Sequence, residues 1–402
     1  MKITNINYSN ESSGSSIAVN RINKMLNNEK IISEILVYKS LSSPKMSLFK
    51  NIIVKTDEYM RFFFKNILKK ILEKIFNIKY KYTINFCLFP STFLKKINSL
   101  ETDIVNLHWI GNEMLSIEQI SKIKKSVIWT LHDMWPYTSI ENYLDVNEFF
   151  EKYINNNKKI NFISKFFFHK KIQNFKNIKA VICTSNWQKK LCEQSEIFRN
   201  AKKVLIPLPL DFEIWQPQEK SIARNTLKIS QKSKVIYFNL SHPYAKKRKG
   251  FDFVINFLEN TNLKDVFFVT ANCDSLKINN PNIVHINFNN LKTLNDRICM
   301  YSASDILISP SRLESFGQSV LEAQACGVPV VTFKNTGSED IVEHLKTGYC
   351  SDYLNSTDFN NGIEWCFKQN FDKEIIINNS KKKFSNDVVG KQYKAFFENL
   401  VL

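Results

Sequence analysis

The stretch that decides the fold of this chain is 305–333, DILISPSRLESFGQSVLEAQACGVPVVTF. Its apolar runs at 306–309 and 330–332 predict two strands, and the segment that follows Gly317 predicts a helix between them. A Gly-Val-Pro break separates this helix from the second strand. The stretch is therefore predicted to form one βαβ unit with a polar loop before its helix.

The polar loop and the helix carry two carboxylates, Glu314 and Glu322. A helix that begins at Gly317 presents unpaired N–H groups and the positive end of its dipole, which suit a phosphate. Glu322 lies on the helical face of Gln318, where it can bind a vicinal diol beside that phosphate, and Glu314 would face the opposite end of the ligand. The spacing suits a diphosphate between a ribose and a sugar. The predicted site also includes the residues between the carboxylates: Ser315, Phe316, Gly317, Gln318 and Ser319.

Glycine usage sets this region apart from the rest of the chain. The chain has 9 glycines in 402 residues, well below the usual share of about 7%. Gly317, Gly327, Gly337 and Gly348 all fall within this short region. This concentration favours a functional loop over the alternative interpretation, a buried βαβ unit with incidental glutamates.

The pattern E-x7-E with an inner Phe-Gly, followed by LEAQACGVPVV, resembles the donor-site signature of retaining GT-B glycosyltransferases of family 4. The resemblance implies an α/β chain with two Rossmann-like domains facing across a cleft and a C-terminal helix that crosses back to the first domain. It implies an acceptor-side domain over 1–206, a linker at 207–217, a nucleotide-sugar-binding domain over 218–384 and the returning helix at 385–402.

Two further segments match the same family. In the basic loop SHPYAKKRKG, a lysine at a helix start beside a strand end is a phosphate-binding arrangement. The family places a lysine on the donor diphosphate at the position of Lys249, whereas the adjacent Arg248 is expected to point elsewhere. The opening strand 2–8 and its loop form a Rossmann-like start, which by resemblance places Gly14 near the donor phosphate.

Two histidines each follow a strand-like run: His108 in DIVNLHWI and His132 in VIWTLHDMWPYT. The carboxyl end of a parallel strand is where open α/β sheets bind ligands. These segments are similar to a subgroup of family-4 transferases that build bacterial surface polysaccharides. The resemblance implies that His132 contacts the donor sugar. His132 and Glu314 are therefore the predicted catalytic residues. The alternative, stronger for His108, is a histidine that hydrogen-bonds the backbone behind the site.

Charge and one long helix bear on the partners of the protein. Lys and Arg outnumber Asp and Glu 56 to 38, a net charge of +18, which favours nucleic acid, an anionic membrane surface or an anionic substrate. Residues 59–79 predict an amphipathic helix with Arg61 and Lys65 opposite its apolar stripe. Such a helix can lie in a membrane interface or cover a domain core, and the excess lysine favours the membrane. The lysines are dispersed without a recognisable binding module, so no nucleic acid is expected as a partner.

Cysteine usage and hydropathy bear on the compartment. The eight cysteines are scattered without C-x-x-C pairs, which predicts reduced core residues of a cytosolic protein and no metal site. No stretch reaches the roughly 18 uncharged apolar residues of a membrane span, and the polar start MKITNINYSNESSG does not resemble a signal peptide. The expected location is the cytoplasm, with peripheral attachment to the inner face of the plasma membrane as a further hypothesis.

These observations lead to one functional prediction and two alternatives. The prediction is a retaining, metal-independent hexosyltransferase that needs no cofactor and uses a UDP or GDP sugar as co-substrate. Its acceptor would be a saccharide hydroxyl on polyprenyl diphosphate, in the synthesis of capsule, O-antigen or exopolysaccharide. The alternatives are a basic nucleic-acid-binding protein and another GT-B enzyme such as a nucleotide-sugar epimerase.

Overall fold

Two parallel sheets, each of six strands, organise the chain in its computed structural model. The structure describes residues 1–10, 13–39, 48–77, 79–155, 161–240, 245–271, 273, 276–288, 291 and 293–401, and only the backbone of 48–58 and 401. The chain packs as a first unit, Met1–Pro207 with the residues from Gly390 on, and a second unit, Leu208–Val389. Helices alternate with the strands in both units, so the predicted α/β class is confirmed.

The first unit is built on six parallel strands. The strands are β1 (Lys2–Asn7), β2 (Ile32–Val37), β3 (Ile104–Leu107), β4 (Ser126–Thr130), β5 (Ile178–Cys183) and β6 (Lys202–Leu205). The helices are α1 (Gly14–Asn28), α2 (Leu48–Ile75), α3 (Phe93–Asn98), α4 (Ile117–Ser121), α5 (Val146–Tyr153), α6 (Phe162–Asn174) and α7 (Asn186–Gln194), with 3₁₀ turns at Trp135–Tyr137 and Glu196–Phe198. The strand order is β2-β1-β3-β4-β5-β6.

Aromatic packing around β4 fills the core of the first unit. Trp129 is fully buried, and its ring centroid lies 5.4 Å from that of Phe175 and 6.0 Å from that of Trp135. The indole N–H of Trp129 donates to the carbonyl of His108 at 2.9 Å. Because this bond joins β4 to the residue that follows β3, the carboxyl ends of the two strands are held side by side.

The second unit has the same construction. Its strands are β7 (Lys234–Asn239), β8 (Val266–Ala271), β9 (Ile283–Phe288), β10 (Ile306–Ser309), β11 (Val330–Phe333) and β12 (Gly348–Ser351). Its helices are α8 (Lys220–Thr226), α9 (Phe251–Asn260), α10 (Leu294–Ala303), α11 (Gln318–Ala325), α12 (Ser356–Lys368) and α13 (Lys373–Phe384), with a 3₁₀ turn at Gly337–Asp340. The strand order is β12-β11-β10-β7-β8-β9. The predicted βαβ unit is confirmed as β10, α11 and β11.

The last helix, α14 (Asn386–Val401), ends in the first unit. A side chain at Gly390 would lie 2.8 Å from Cγ of Glu29, which follows α1. Tyr393, in this last segment, is fully buried. The residues from Gly390 on are therefore part of the first unit's packing.

Two cations of helix α2 point into the first unit, contrary to the prediction. Arg61 and Lys65 are each only 6% exposed. Lys65 Nζ donates to Asn85 Oδ1 at 2.7 Å and to Asn112 Oδ1 at 3.2 Å. Arg61 Nη1 donates to the carbonyl of Phe89 at 2.7 Å. Helical periodicity assigned these side chains to solvent because it does not reveal acceptors that come from distant segments.

Two expectations from composition can be compared with the structure. All eight cysteines are buried thiols, so their predicted core positions are confirmed. Within the described ranges, no helix combines the length and the apolar character that crossing a bilayer requires.

Glu113 provides a test of the packing of the first unit. Its side chain is fully buried, and its two oxygens accept the N–H groups of Phe86 at 2.9 Å and Leu88 at 3.0 Å. Glu113→Ala leaves both buried donors without their acceptor, so we expect the free energy of unfolding to fall by about 2–4 kcal/mol. Urea unfolding measures this change.

Glu101→Ala is the matched control, because Glu101 is exposed. Its substitution should change the free energy of unfolding by no more than about 0.5 kcal/mol. Similar losses in the two variants would contradict the role assigned to Glu113.

Candidate functional site

Three loops meet at the carboxyl edge of the second sheet, after the neighbouring strands β7, β10 and β11. Gly250 has φ +69°, and a Cβ at this position would lie 1.8 Å from the carbonyl oxygen of Pro310. Only glycine therefore lets the loop after β7 pack against the loop after β10. The N–H of Arg312 donates to the carbonyl of Arg248 at 2.8 Å. The predicted lysine loop and the predicted carboxylate loop are thus adjacent.

The loop after β11 packs on the same edge. The N–H of Gly337 donates to the carbonyl of Glu314 at 2.8 Å, and a Cβ on Gly337 would lie 2.3 Å from the carbonyl oxygen of Ser315. Gly317 caps α11 with φ +103°, and a Cβ there would lie 2.6 Å from Ser338 Oγ. Ser338 is fully buried, and its hydroxyl has no hydrogen-bond partner among the described residues. A hydroxyl beside the first N–H groups of a helix adds a donor for an anion.

Lys249, Arg248 and Glu314 form a largely buried charge cluster. Lys249 Nζ donates to Glu314 Oε2 at 2.5 Å, and the two side chains are 12% and 14% exposed. Arg248 Nη1 lies 4.0 Å from the same oxygen and donates to the carbonyl of Leu313 at 3.0 Å. The expectation that Arg248 points elsewhere is therefore wrong, because the backbone contact between the two loops turns its side chain toward Glu314.

The cluster has more positive than negative charge. Burial by itself raises the pKa of Glu314, but Lys249 and Arg248 outweigh burial and hold that pKa below its ordinary value. Burial lowers the pKa of Lys249, and Glu314 offsets this only in part. Two cations and one carboxylate leave a net positive charge at neutral pH, which suits an anionic ligand.

Glu322 is held by two side chains of α10. Its Oε2 accepts the hydroxyl of Tyr301 at 3.0 Å, and its Oε1 lies 3.6 Å from Arg297 Nη1. Burial and then the charge of Glu322 raise the pKa of Tyr301 far above its ordinary value, so the hydroxyl stays protonated and donates. Arg297 Cζ also lies 5.2 Å from the ring centroid of Trp215. These contacts fix the orientation of the carboxylate that is predicted to bind ribose.

The other residues of the predicted donor loop contribute in different ways. Gln318 and Ser319 are the first two residues of α11 and are half-buried, whereas Ser315 is buried. Phe316 is also buried, with its ring edge-on to a phenylalanine of α13 at 5.7 Å between centroids. The backbone N–H of Phe316 donates to the carboxylate of Glu314. Phe316 therefore meets the site through its backbone, while its side chain packs in the core.

The two predicted site residues of the first unit follow β1 and β4 at the carboxyl edge of that sheet. Gly14 is the first residue of α1, and the N-cap Ser13 accepts the N–H of Ser16 at 3.3 Å through its hydroxyl. The helix therefore begins at Gly14, inside the predicted loop. His132 lies two residues beyond the end of β4 and is half-buried.

His132 forms a hydrogen-bonded pair with His108, at 2.9 Å between His132 Nε2 and His108 Nδ1. His108 Nε2 lies 2.9 Å from Asn5 Oδ1, which also accepts from Asn106 Nδ2 at 3.0 Å. His108 Nε2 also lies 3.0 Å from Asn106 Nδ2. An unprotonated Nε2 would face the Asn5 oxygen, a second acceptor, at 2.9 Å, whereas a protonated Nε2 shares that oxygen with the Asn106 amide, so this nitrogen is assigned as a donor to Asn5. His108 Nδ1 then accepts from His132 Nε2–H. Nδ1 of His132 therefore carries no proton and is the ring nitrogen that can accept a hydrogen bond.

Both histidines are neutral near pH 7. Burial lowers the pKa of His132 to about 4. Burial, followed by the neighbouring His132, lowers the pKa of His108 well below its ordinary value. The alternative in which His108 stands behind the site therefore matches its position. Its ring contacts one histidine and two asparagines, whereas a backbone partner was expected.

Sequence reasoning missed Arg297, Tyr301 and Ser338 in the second unit and Asn5 in the first. Arg297 and Tyr301 are four residues apart on one helix, so the sequence could have placed them on one face, but nothing in it pairs that face with Glu322. Among the described residues, no group of three or more His, Cys, Asp or Glu side chains could hold a metal ion.

The pairing of Glu314 with Lys249 predicts a pH-dependent stability difference. The pKa of Glu314 in the folded state lies below its ordinary value of 4.5. The ion pair of Glu314 with Lys249 therefore stabilises the fold above pH 4.5. This stabilisation is lost as the pH falls through the folded-state pKa of Glu314. Glu314→Gln should therefore be less stable than wild type near neutral pH, and the difference should shrink below pH 4.5. Urea unfolding across this range measures it.

Glu364→Gln is the control, because Glu364 is a half-buried glutamate of the same unit outside the cluster. Its stability difference from wild type should stay constant over the same pH range. A constant difference for Glu314→Gln as well would contradict the assigned ion pair.

The tautomer of His132 can be observed directly. We expect nitrogen chemical shifts of ¹⁵N-labelled histidine to show a neutral ring with Nε2 protonated, and titration near the pKa of about 4 that burial causes. The spectrum of His132→Gln assigns the signal. Protonation on Nδ1 instead would contradict the hydrogen-bond assignment through His108.

Sequence comparison relates the second unit to a known family. Residues 272–383 match the family model described as glycosyl transferases group 1. CapM of Staphylococcus aureus, a capsular polysaccharide biosynthesis glycosyltransferase, is 28% identical over 155 residues, which are 37% of this chain and 37% of CapM. An uncharacterized 41.2 kDa protein in the cps region of Klebsiella pneumoniae is 25% identical over 338 residues, covering 78% of this chain and 85% of that protein.

Solved structures show the fold of the whole chain. Sucrose-phosphate synthase of Thermosynechococcus elongatus has a TM-score of 0.66 at 13% identity, covering 100% of this chain and 99% of the other. HepE of Anabaena, in complex with UDP and glucose, has a TM-score of 0.59 at 15% identity, covering 99% of this chain and 100% of the other. The chain therefore has the GT-B fold and matches the glycosyl transferases group 1 family over residues 272–383.

Proposed function

We propose that the protein is a retaining, metal-independent glycosyltransferase of family 4 that transfers a hexose from a nucleoside-diphosphate sugar, with UDP or GDP as the leaving group. The observation that carries this proposal is the largely buried cluster of Lys249, Arg248 and Glu314 beside the N-terminus of α11. Its net positive charge lies at the carboxyl edge of a parallel sheet, where α/β proteins bind nucleotides.

Each part of the cluster has a role in this reaction. The leaving diphosphate gains negative charge as the glycosidic bond breaks, and Lys249, the first N–H groups of α11 and the Ser338 hydroxyl would stabilise that charge. Preorganised donors of this kind would take the place of a divalent cation in neutralising the leaving diphosphate. No cofactor is required, because the nucleotide sugar is itself the co-substrate.

The two carboxylates would bind the two ends of the donor. Glu322, oriented by Tyr301 and Arg297, would accept hydrogen bonds from the ribose hydroxyls. Glu314, held by Lys249, would accept a hydroxyl of the transferred sugar. The intervening Gln318 and Ser319 would contribute backbone N–H groups at the start of α11.

His132 would supply a contact to the donor sugar from the first unit. Its Nδ1 is the ring acceptor in the assigned tautomer, so it can accept a sugar hydroxyl. Gly14, at the start of α1, would let the diphosphate approach the backbone. No protein nucleophile is assigned, and departure and attack on the same face of the sugar would give retention.

The acceptor is proposed from the relatives. CapM is named for capsular polysaccharide biosynthesis, and the Klebsiella relative comes from a cps region. We infer a hydroxyl of a lipid-linked saccharide, carried on a polyprenyl diphosphate, as the acceptor in surface polysaccharide synthesis. The enzyme would then work at the cytoplasmic face of the plasma membrane.

Nucleotide titration tests the donor site. UDP, GDP and ADP are titrated by calorimetry into wild type, Lys249→Met and Glu322→Gln. We expect one nucleotide to bind, and loss of a charged hydrogen bond to its diphosphate should lower affinity by about 10–100-fold in Lys249→Met. Glu322→Gln should lower affinity for the nucleotide but not for inorganic diphosphate, because its role is at the ribose.

Lys334→Met is the matched control, since Lys334 follows β11 but has a side chain that is 40% exposed and pairs with Asp352 at the surface. It should bind the nucleotide as wild type does, and EDTA should leave wild-type binding unchanged. If no nucleotide binds while DNA or RNA binds in a salt-dependent manner, the transferase proposal is wrong. Interconversion of nucleotide sugars without an acceptor would instead identify an epimerase.

A further inference from the structure

Helix α2 of the first unit presents apolar side chains to solvent. Those that are exposed are Tyr59, Met60, Phe62, Phe63, Phe64, Ile67, Ile71 and Ile75. With the exposed Phe89, they are called the α2 surface below. Scattered apolar residues on a protein surface are ordinary, but a continuous patch of this kind marks an interaction site.

Two buried cations fix the orientation of the helix. Arg61 and Lys65 share one helical face with Leu68 and Leu72, because the four residues recur at spacings of four, three and four. The two leucines pack against the core of the first unit. Rotating the helix to bury its aromatic side would remove both cations from their oxygen acceptors, at the cost of unpaired buried charge. The aromatic side therefore stays outside.

The exposed residues form one continuous surface. Met60, Phe64, Ile67 and Ile71 recur at the same helical spacing and make one stripe beside the buried face. The ring of Phe64 lies 6.0 Å from that of Phe63 and 5.7 Å from that of Phe89, measured between centroids. Phe89 belongs to the loop that also accepts from Arg61. The α2 surface therefore extends from the helix onto a neighbouring loop.

Lysines on the outermost face indicate the partner. Lys70 and Lys74 recur with Phe63 and Ile67 on the side opposite the buried cations. Both lysines are exposed, and within the described residues neither takes part in an ion pair. The third lysine of this turn, Lys69, lies 3.8 Å from Glu73. An apolar surface bordered by exposed lysines, on a chain of net charge +18, is complementary to an apolar layer bordered by anions.

We propose that the α2 surface binds an anionic lipid bilayer, with α2 lying in the plane of the interface. The aromatic and aliphatic side chains enter between the headgroups, and Lys70 and Lys74 reach lipid phosphates. A second copy of this chain is a poorer occupant, because a symmetric contact would bring the lysines of two strongly positive molecules together. The proposal does not rest on the sugar-transfer function, so either can fail alone.

Vesicle flotation of the full chain tests the proposal. We expect binding to vesicles of equal parts phosphatidylcholine and phosphatidylglycerol, and much weaker binding to phosphatidylcholine alone. The double variant Lys70→Gln and Lys74→Gln should lower the partition coefficient by about fivefold for each lysine. The double variant Phe63→Ser and Ile67→Ser should lower it by roughly tenfold for each residue, at low and at high salt, since it removes apolar contact.

Ile375→Ser is the matched control, because Ile375 is 46% exposed, as Ile71 is, but lies in the second unit. It should bind vesicles as wild type does, and circular dichroism should show equal helix content in all variants. Absence of wild-type binding, or binding that both double variants retain in full, would overturn the proposal. Light scattering that shows a wild-type dimer and a monomeric Phe63→Ser, Ile67→Ser variant would assign the surface to a second copy instead.

Discussion

In a parallel sheet every strand ends at the same edge, and the candidate site of the second unit depends on this constraint. Strands β7, β10 and β11 are neighbours in the sheet although they are far apart along the chain. Their following loops therefore meet, and Gly250 and Gly337 let the backbones touch where any side chain would collide. Lys249 and Glu314 come within hydrogen-bond distance only because of this arrangement. The first unit uses the same constraint to bring His108 and His132 together at its own carboxyl edge.

The charge cluster is better explained by ligand binding than by stability. Burying an ion pair costs desolvation free energy that its own attraction often fails to recover, so a buried salt bridge is weak evidence for a stabilising role. Here a second cation, Arg248, lies 4.0 Å from the shared carboxylate and leaves the cluster with excess positive charge. In a partly dehydrated site such charge acts strongly on a phosphate and needs little rearrangement when the ligand arrives.

Helix α2 shows the limit of amphipathic patterns. The period of 3.6 residues identifies two faces of a helix, but it does not say which of them meets the protein. The apolar stripe was expected to lie opposite Arg61 and Lys65, and yet these cations are the buried side chains. Oxygen acceptors from residues 85, 89 and 112 determine which face of α2 is buried, because they accept hydrogen bonds from both cations inside the unit. Because the face with these two cations is buried, part of the apolar stripe of α2 is exposed to solvent.

The sequence by itself determined the α/β class and the βαβ unit around 305–333. It also placed Glu314 in the loop before the helix of that unit, Gly317 at the start of the helix and Glu322 within it, and it made Lys249 a candidate. These follow from local rules, since strand and helix periods, turn residues and helix termini are written in consecutive residues. Only the tertiary structure decided which of these residues meet. In the second unit it pairs Lys249 with Glu314, places Arg297 and Tyr301 on Glu322, and brings Ser338 to Gly317. In the first unit it places His108 against His132, whose tautomer it sets. Each of these is a contact between segments that the sheet order brings together, and hydrophobic periodicity carries no information about which distant polar groups will meet.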